Sequence, residues 1–172
     1  APPPLTEAAS ADRAGAQPVT DRPFAEALSL VQRAVAEFMR AHSEPYAVDA
    51  VELNSMSLAE LGHLYNEAGD GAIFFVVASD AAAEAQDRAG EDANSKESFL
   101  RQACWTGAFL GWVDGGSATL ALAPGDLDEA VEAIVGFTDS DETGFLFAQT
   151  EQLANGYTRG LQGCAIPAPG NG

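Results

Sequence analysis

Residues 21–42 read DRPFAEALSLVQRAVAEFMRAH, and large apolar residues recur in this stretch at alternating spacings of four and three. This spacing places them on one stripe of an α-helix. Asp21 is predicted to be the N-cap, Pro23 to lie in the first turn and Pro45 to mark the end. The stripe consists of Phe24, Leu28, Val31, Val35 and Phe38. It predicts a helix packed on a core; the alternative is a self-pairing coiled coil, for which the stretch is short.

Two more helices are predicted in the middle of the chain. The second helix begins at Ser57, because Ser57 and Glu60 have the spacing of a capping box. The third begins at Asn94 or Ser95 and ends before Gly115 and Gly116. Gly107 and Gly111 lie four residues apart on one side of the third helix, so another backbone could approach it closely there. The predicted buried residues are Leu58, Leu61, Leu64 and Tyr65 in the second helix, and Phe99, Ala103, Thr106, Leu110 and Val113 in the third.

The last two predicted helices follow Pro124. Asp126 is the expected N-cap of the fourth, with Glu129 three residues later, and this helix ends near Gly136. The fifth spans roughly residues 141–161. Their predicted buried residues are Leu127, Val131, Ile134 and Val135, then Leu146, Leu153, Tyr157 and Leu161.

The run AIFFVVA at 72–78 fits a buried strand or a buried helix. It follows Gly69 and leads directly into a good helix sequence that extends to Arg88, and no pairing strand is evident. The helix is therefore favoured. The predicted fold class is mainly α, an irregular bundle of about five helices with extended N- and C-terminal tails and an alternative short strand at 72–78.

Length and composition predict one folded domain between two tails. The chain has 172 residues, of which 47% are hydrophobic, as is typical of a single globular domain. Residues 1–20 form an extended Pro/Ala-rich segment with one large apolar residue, Leu5, and cannot build a core of their own. The predicted boundaries are a tail at 1–20, a helical domain at 21–164 and a C-terminal tail at 165–172.

The charge balance excludes some partners. Asp and Glu number 26 against 8 Lys and Arg, a net charge of -18, so the protein repels phosphate backbones and anionic headgroups. Nucleic acid is not an expected partner. No apolar run approaches the roughly 20 residues of a transmembrane helix. The chain starts at Ala1 without methionine, as expected after signal-peptide removal, although trimming would leave the same start. We expect an exported protein, periplasmic or extracellular.

The two cysteines, Cys104 and Cys164, fit one disulfide in an exported chain. The bond would close a loop of about sixty residues and stabilise the fold by about 3 to 4 kcal/mol. Two buried free thiols are the alternative.

No complete catalytic set is recognisable, and we expect no enzyme. His42 and His63 lie in no nucleophile motif, and nothing local pairs His63 with Cys104 as a thiol–imidazole couple. The cysteines and histidines are too widely spaced for a structural zinc site. No glycine-rich phosphate loop is present in the sequence.

One acidic stretch, DSDETG at 139–144, partly matches a calcium loop. Asp139, Asp141 and Thr143 fit the first ligand positions, but position 12 is Thr150 and the glutamate, Glu151, comes one residue late. A solvated turn between helices is the preferred interpretation. The expected cofactor is therefore none, with calcium as the alternative.

Three aromatic residues of the third helix, Trp105, Phe109 and Trp112, are spaced to share a face. Burial in the core is the favoured interpretation. A protein interface or a ligand groove is the alternative, because tryptophan is enriched at interfaces.

From Cys104 onward the chain resembles the exported helical immunity proteins that act against type VI secretion amidase toxins. The similarity lies in Cys104-Trp105-Thr106-Gly107, in Gly111 and Asp114-Gly115, in the helix after Pro124 and in the last helix ending at Cys164. It covers residues 104–164 only, lacks that family's further cysteines and has no proline before the final cysteine. The resemblance implies a periplasmic, disulfide-linked, non-enzymatic helical domain.

These observations favour a non-catalytic exported protein that binds other proteins, as an accessory or structural subunit of an envelope or extracellular assembly. The alternative is a periplasmic immunity protein that neutralises a secreted toxin. A calcium-binding or carboxylate-dependent enzyme is a third hypothesis.

Overall fold

A computed structural model describes residues 17–19, 21–42, 51–116, 120–137 and 143–164. These residues form six α-helices, two short strands and one 3₁₀ turn. In chain order the elements are β1 (Gln17–Pro18), α1 (Phe24–His42), α2 (Leu58–Ala68), α3 (Asp70–Arg88), α4 (Lys96–Asp114), β2 (Leu120–Ala121), α5 (Asp126–Phe137), α6 (Thr143–Arg159) and the 3₁₀ turn Gly160–Gly163. The predicted mainly α irregular bundle is confirmed.

The sixth helix is α3, which contains the ambiguous run at 72–78. Every residue from Asp70 to Ala78 is buried, because α1, α2, α4 and α5 all pack against this helix. A helix buried on all sides has no polar face, and this explains why periodicity could not separate helix from strand. The favoured helical interpretation is confirmed, and the alternative strand is wrong.

Helix α1 packs on the core, as its stripe predicted. Val31, Val35 and Phe38 are almost completely buried, which excludes the coiled-coil alternative. The predicted N-cap is wrong, however. Asp21 lies in a turn with φ +63°, and the helix begins three residues later at Phe24. The expected end at Pro45 lies outside the described residues.

The caps of α2 and α4 are confirmed. Ser57 accepts a hydrogen bond from the Glu60 N–H, and the Glu60 carboxylate accepts one from the Ser57 N–H. These bonds to Ser57 lower the pKa of Glu60. In α4, Ser95 accepts from the N–H of Ser98.

Three residues predicted to be buried are exposed: Leu58, Phe99 and Val135. Leu58 and Phe99 lie in the first turns of their helices, at the edge of the bundle. On α5 the most completely buried residues are Ala130, Ala133 and Ile134, and this helix packs against α3. Gly71 shows how close the approach is, since a Cβ there would overlap the carbonyl oxygen of Asp126.

The described residues at the end of the predicted N-terminal tail contact the helical domain. β1 pairs in parallel with β2, with Gln17 opposite Leu120, and Val19 is completely buried. The folded unit therefore includes residues before the predicted boundary at 21. Residues 1–16, residue 20 and the predicted tail at 165–172 lie outside the described residues.

Helices α4 and α6 make the most extensive helix–helix contact. A Cβ on Gly107 would overlap the carbonyl oxygen of Leu153, and one on Gly156 would overlap that of Cys104. The backbones therefore touch directly, as Gly107 and Gly111 predicted. Cys104 and Cys164 are at disulfide-bonding distance with Cα atoms 5.7 Å apart, so the predicted disulfide ties the end of the 3₁₀ turn to α4.

Candidate functional site

The three aromatic residues of the alternative interface on α4 differ in how deeply they are buried. Trp105 is 3% exposed and Phe109 is fully buried. Both rings pack edge-on against Phe38, at centroid distances of 5.3 and 5.7 Å. The interface hypothesis therefore does not hold for these two, because α4 is covered by α3 on one side and α6 on the other. Trp112, near the end of α4, is only half-buried.

Trp112 borders an open groove of about 240 Å³ between α1, the second half of α4 and the end of α6. This surface is called the aromatic groove below. Its lining residues are Phe38, His42, Ala108, Gly111, Trp112, Tyr157, Gly160 and Leu161.

One wall of the aromatic groove is a cluster of three rings. The centroid of Trp112 lies 5.6 Å from that of Phe38 and 5.9 Å from that of His42, with the imidazole perpendicular to the indole. The Nδ1 of His42 lies 3.0 Å from the carbonyl oxygen of Phe38, and this contact fixes the imidazole ring. Because Phe38 is buried, Trp112 and His42 provide the ring surface that a ligand could touch.

A second wall is formed by Tyr157 of α6 and Leu161 of the 3₁₀ turn. Tyr157 comes close to α4 because Gly111 has no side chain; a Cβ there would lie 2.5 Å from the Tyr157 carbonyl oxygen. The phenol O–H donates to Oδ2 of Asp114 at 2.6 Å. Asp114 is the exposed last residue of α4, so a carboxylate lies beside this wall.

Three helices end at the aromatic groove: α1 at His42, α4 at Asp114 and α6 at Arg159. The last carbonyl groups of a helix carry a partial negative charge. The aromatic groove is therefore apolar on its walls and electronegative at its ends. Such a surface favours an apolar group with a positive charge over an anion.

The other predicted reactive residues do not form a site. His63 is exposed on α2 and lies 3.2 Å from Glu67 of the next turn. Cys104 is joined to Cys164, so no thiol is present to pair with a histidine.

Of the four predicted calcium ligands, Thr143 and Glu151 lie in the described residues. Asp139 and Asp141 lie outside the described residues. Thr143 opens α6 and Glu151 is exposed further along the same helix. These two are eight residues apart, about 12 Å along the axis, too far for ligands that each lie about 2.4 Å from one calcium ion. In the part of the chain that the structure describes, no three His, Cys, Asp or Glu side chains are arranged to hold a metal.

A second polar cluster lies where α3 and α5 begin. Asp126 is not the predicted N-cap: it is the first residue of α5, and its carboxylate accepts from the Ala123 N–H at 2.7 Å. Glu129 accepts from the Gly71 N–H at 2.8 Å. Burial raises the pKa of Asp126 to about 6, and the negative charges of Asp70 and Glu129 add to this. Glu129 thus satisfies an N–H in the first turn of α3, and Asp126 satisfies one just before α5. Both carboxylates therefore have a structural role.

Sequence patterns identified Trp112 but missed the rest of the aromatic groove. The sequence places His42 in no recognisable motif and predicts that Tyr157 lies in the core. The lining comes from positions 38–42, 108–112 and 157–161 on three helices. No spacing within one helix could predict that these segments meet.

No family model, no curated protein and no solved structure matches this chain. The class of the protein, a mainly α irregular bundle with a disulfide, is therefore defined by its own structure. None of the helices in the described ranges combines the length and apolar character needed to cross a bilayer.

Proposed function

We propose that this chain is a non-catalytic, exported protein-binding domain, an accessory or structural subunit of an envelope or extracellular assembly, and that it binds its partner through the aromatic groove. The observation that carries the proposal is Trp112, a half-buried tryptophan on the wall of an open groove. Tryptophan in such a position is typical of residues that dominate binding energy at interfaces.

Two further features support the proposal. The disulfide between Cys104 and Cys164 fits an oxidising compartment outside the cytosol. The exposed large apolar residues of the described part of the chain lie on four different helices, and single apolar residues of this kind are common on ordinary surfaces. They are Leu58, Phe99, Val135 and Phe147. The aromatic groove is thus the better candidate for a binding surface.

Site-specific photo-crosslinking in native material tests the proposal. A photoreactive amino acid replaces exposed His42 at the rim of the aromatic groove, and in a matched variant it replaces exposed Leu58 on α2. We expect position 42 to crosslink one protein that also co-purifies in fixed stoichiometry, and position 58 not to do so. A chain that elutes alone and gives the same crosslinks at both positions would contradict the proposal.

A periplasmic immunity protein is the second candidate. Two observations on the segment that resembles immunity proteins favour it. Its two cysteines are joined by a disulfide, and its glycine-containing helix, α4, packs on its last helix, α6. In that case the protein elutes free and forms a complex only after a secreted amidase toxin is added. The two candidates therefore differ in whether a partner is present before the toxin.

A further inference from the structure

We infer that the aromatic groove receives an arginine side chain of the partner protein, flanked by uncharged residues. The inference rests on the proposed function and specifies the chemistry of the contact.

The charge distribution around the aromatic groove favours a cation. The C-terminal ends of α1, α4 and α6 meet there, and each contributes partial negative charge. Asp114 adds a carboxylate next to Tyr157. Arg40 and Arg159 lie in the last turns of α1 and α6 and, like Asp114, do not line the groove; of the three, Asp114 is the one bonded to a lining residue, Tyr157. The net charge of -18 also attracts basic partners over distance.

The side chains of the walls favour a planar cation. Trp112 lines one wall and Tyr157 the other, and the faces of these two ring types attract cations most strongly. A guanidinium group stacks on aromatic faces and loses less hydration than an ammonium group. Arginine therefore fits this surface better than lysine does.

The size of the aromatic groove limits what it can hold. Its volume of about 240 Å³ lies below the roughly 300 to 1,000 Å³ typical of pockets for drug-sized ligands and cofactors. One long side chain is a better match for this space. Because the groove is open to solvent, the main chain of the partner can lie across its rim.

A peptide titration of the full chain tests the inference. The probe is acetyl-Gly-Arg-Gly-amide, and the control is the same peptide with citrulline, which keeps the shape of arginine but is uncharged. The two tryptophan indole N–H signals are followed by NMR, with the buried Trp105 as internal reference. We expect the arginine peptide to shift the Trp112 signal in a saturable way, leave the Trp105 signal in place and bind more weakly as salt is added. The citrulline peptide should shift neither signal.

Variants locate the binding. Trp112→Leu keeps an apolar side chain but removes the aromatic face. Because this variant also lacks the Trp112 signal, its binding and that of the parent are compared by isothermal titration calorimetry, and it should bind the arginine peptide about two- to fivefold more weakly. Phe147→Leu is the matched control, because Phe147 is 72% exposed and does not line the groove; it should change nothing. The comparison of the two peptides uses the unaltered chain and so does not depend on how the variants fold.

The outcomes separate this inference from the proposed function. Equal binding of both peptides, or no shift of Trp112 by either, overturns the arginine contact even if position 42 crosslinks a partner. A selective shift by the arginine peptide supports the arginine contact, and a failed crosslink at position 42 would then count against the accessory-subunit proposal alone.

Discussion

At the scale of single residues, Asp126 makes the stability of the fold depend on pH. Its side chain is almost completely buried, and it has one backbone donor, the Ala123 N–H. Burial favours the neutral form of a carboxyl group, so the pKa rises from 3.8 to about 6 in the folded state. Between these two values the folded chain holds a proton that the unfolded chain has released. The contribution of Asp126 to the free energy of unfolding is therefore complete below about pH 4 and is lost as the pH rises through about 6.

Asp126→Asn tests this. The amide can still accept from the Ala123 N–H but has no charge to bury. We expect the variant to match the parent near pH 4 and to be more stable at pH 7, by at most about 3 kcal/mol. Urea unfolding between pH 4 and pH 7 measures the difference. Glu132→Gln, at an exposed position of the same helix, is the control, and a difference for Asp126→Asn that stays constant with pH would contradict the prediction.

Single residues also show how far sequence reasoning reaches. Ser57 and Ser95 were predicted as helix caps because the bond is made within three residues. Asp21 failed as a cap because the turn before α1 places it at a positive φ, outside the conformation of an N-cap. The N-cap prediction for Asp126 is wrong because the residue is already the first of α5 and its carboxylate accepts from the preceding Ala123 N–H.

At the scale of elements, the contact between α4 and α6 depends on glycine. Gly107 and Gly156 each allow the backbone of the other helix to approach closer than any side chain would permit. The sequence predicted the close approach on α4 from Gly107 and Gly111. It did not predict that α6 is the partner, because glycine spacing within one helix does not identify the helix that packs on it.

Gly107→Ala is expected to destabilise the protein. The added methyl group would overlap the Leu153 carbonyl oxygen, and overpacking of this kind costs about 1 to 3 kcal/mol. Gly136→Ala is the matched control, because a Cβ at Gly136 on α5 meets nothing within 4 Å. That change should leave stability unaltered or raise it by up to about 1 kcal/mol, through the better helix propensity of alanine. Thermal unfolding of both variants checks the opposite signs; equal effects would show that the backbones are not in contact.

At the scale of the whole molecule, the disulfide joins two points 60 residues apart. Replacing both Cys104 and Cys164 with alanine should lower the free energy of unfolding by about 3 to 4 kcal/mol. The helical content should persist, because the contact between α4 and α6 also depends on glycine packing. Denaturant unfolding with and without a reductant is the measurement. The parent should lose stability on reduction while the double variant does not respond, and a parent that is insensitive to reductant would contradict the prediction.

The arrangement of the helices in the whole molecule could not be predicted from the sequence. Helix boundaries, most buried stripes and the cysteine pair follow from local spacing or from counting residues. The aromatic groove depends on how α1, α4 and α6 cross, and this is set by the glycine contacts and by burial of α3. Of its lining residues, Trp112 was considered for an interface or a groove, and nothing in the sequence predicted that the others join it in one surface.

The glycine contacts and the disulfide between α4 and the end of α6 have one further consequence. Trp112 belongs to α4 and Tyr157 to α6, so the two walls of the aromatic groove are fixed relative to each other before anything binds. A preorganised cleft of this kind loses little conformational entropy on association. Most of the conformational entropy lost on binding is then lost by the partner chain. A rigid partner segment should therefore dissociate more slowly than a flexible one of the same length.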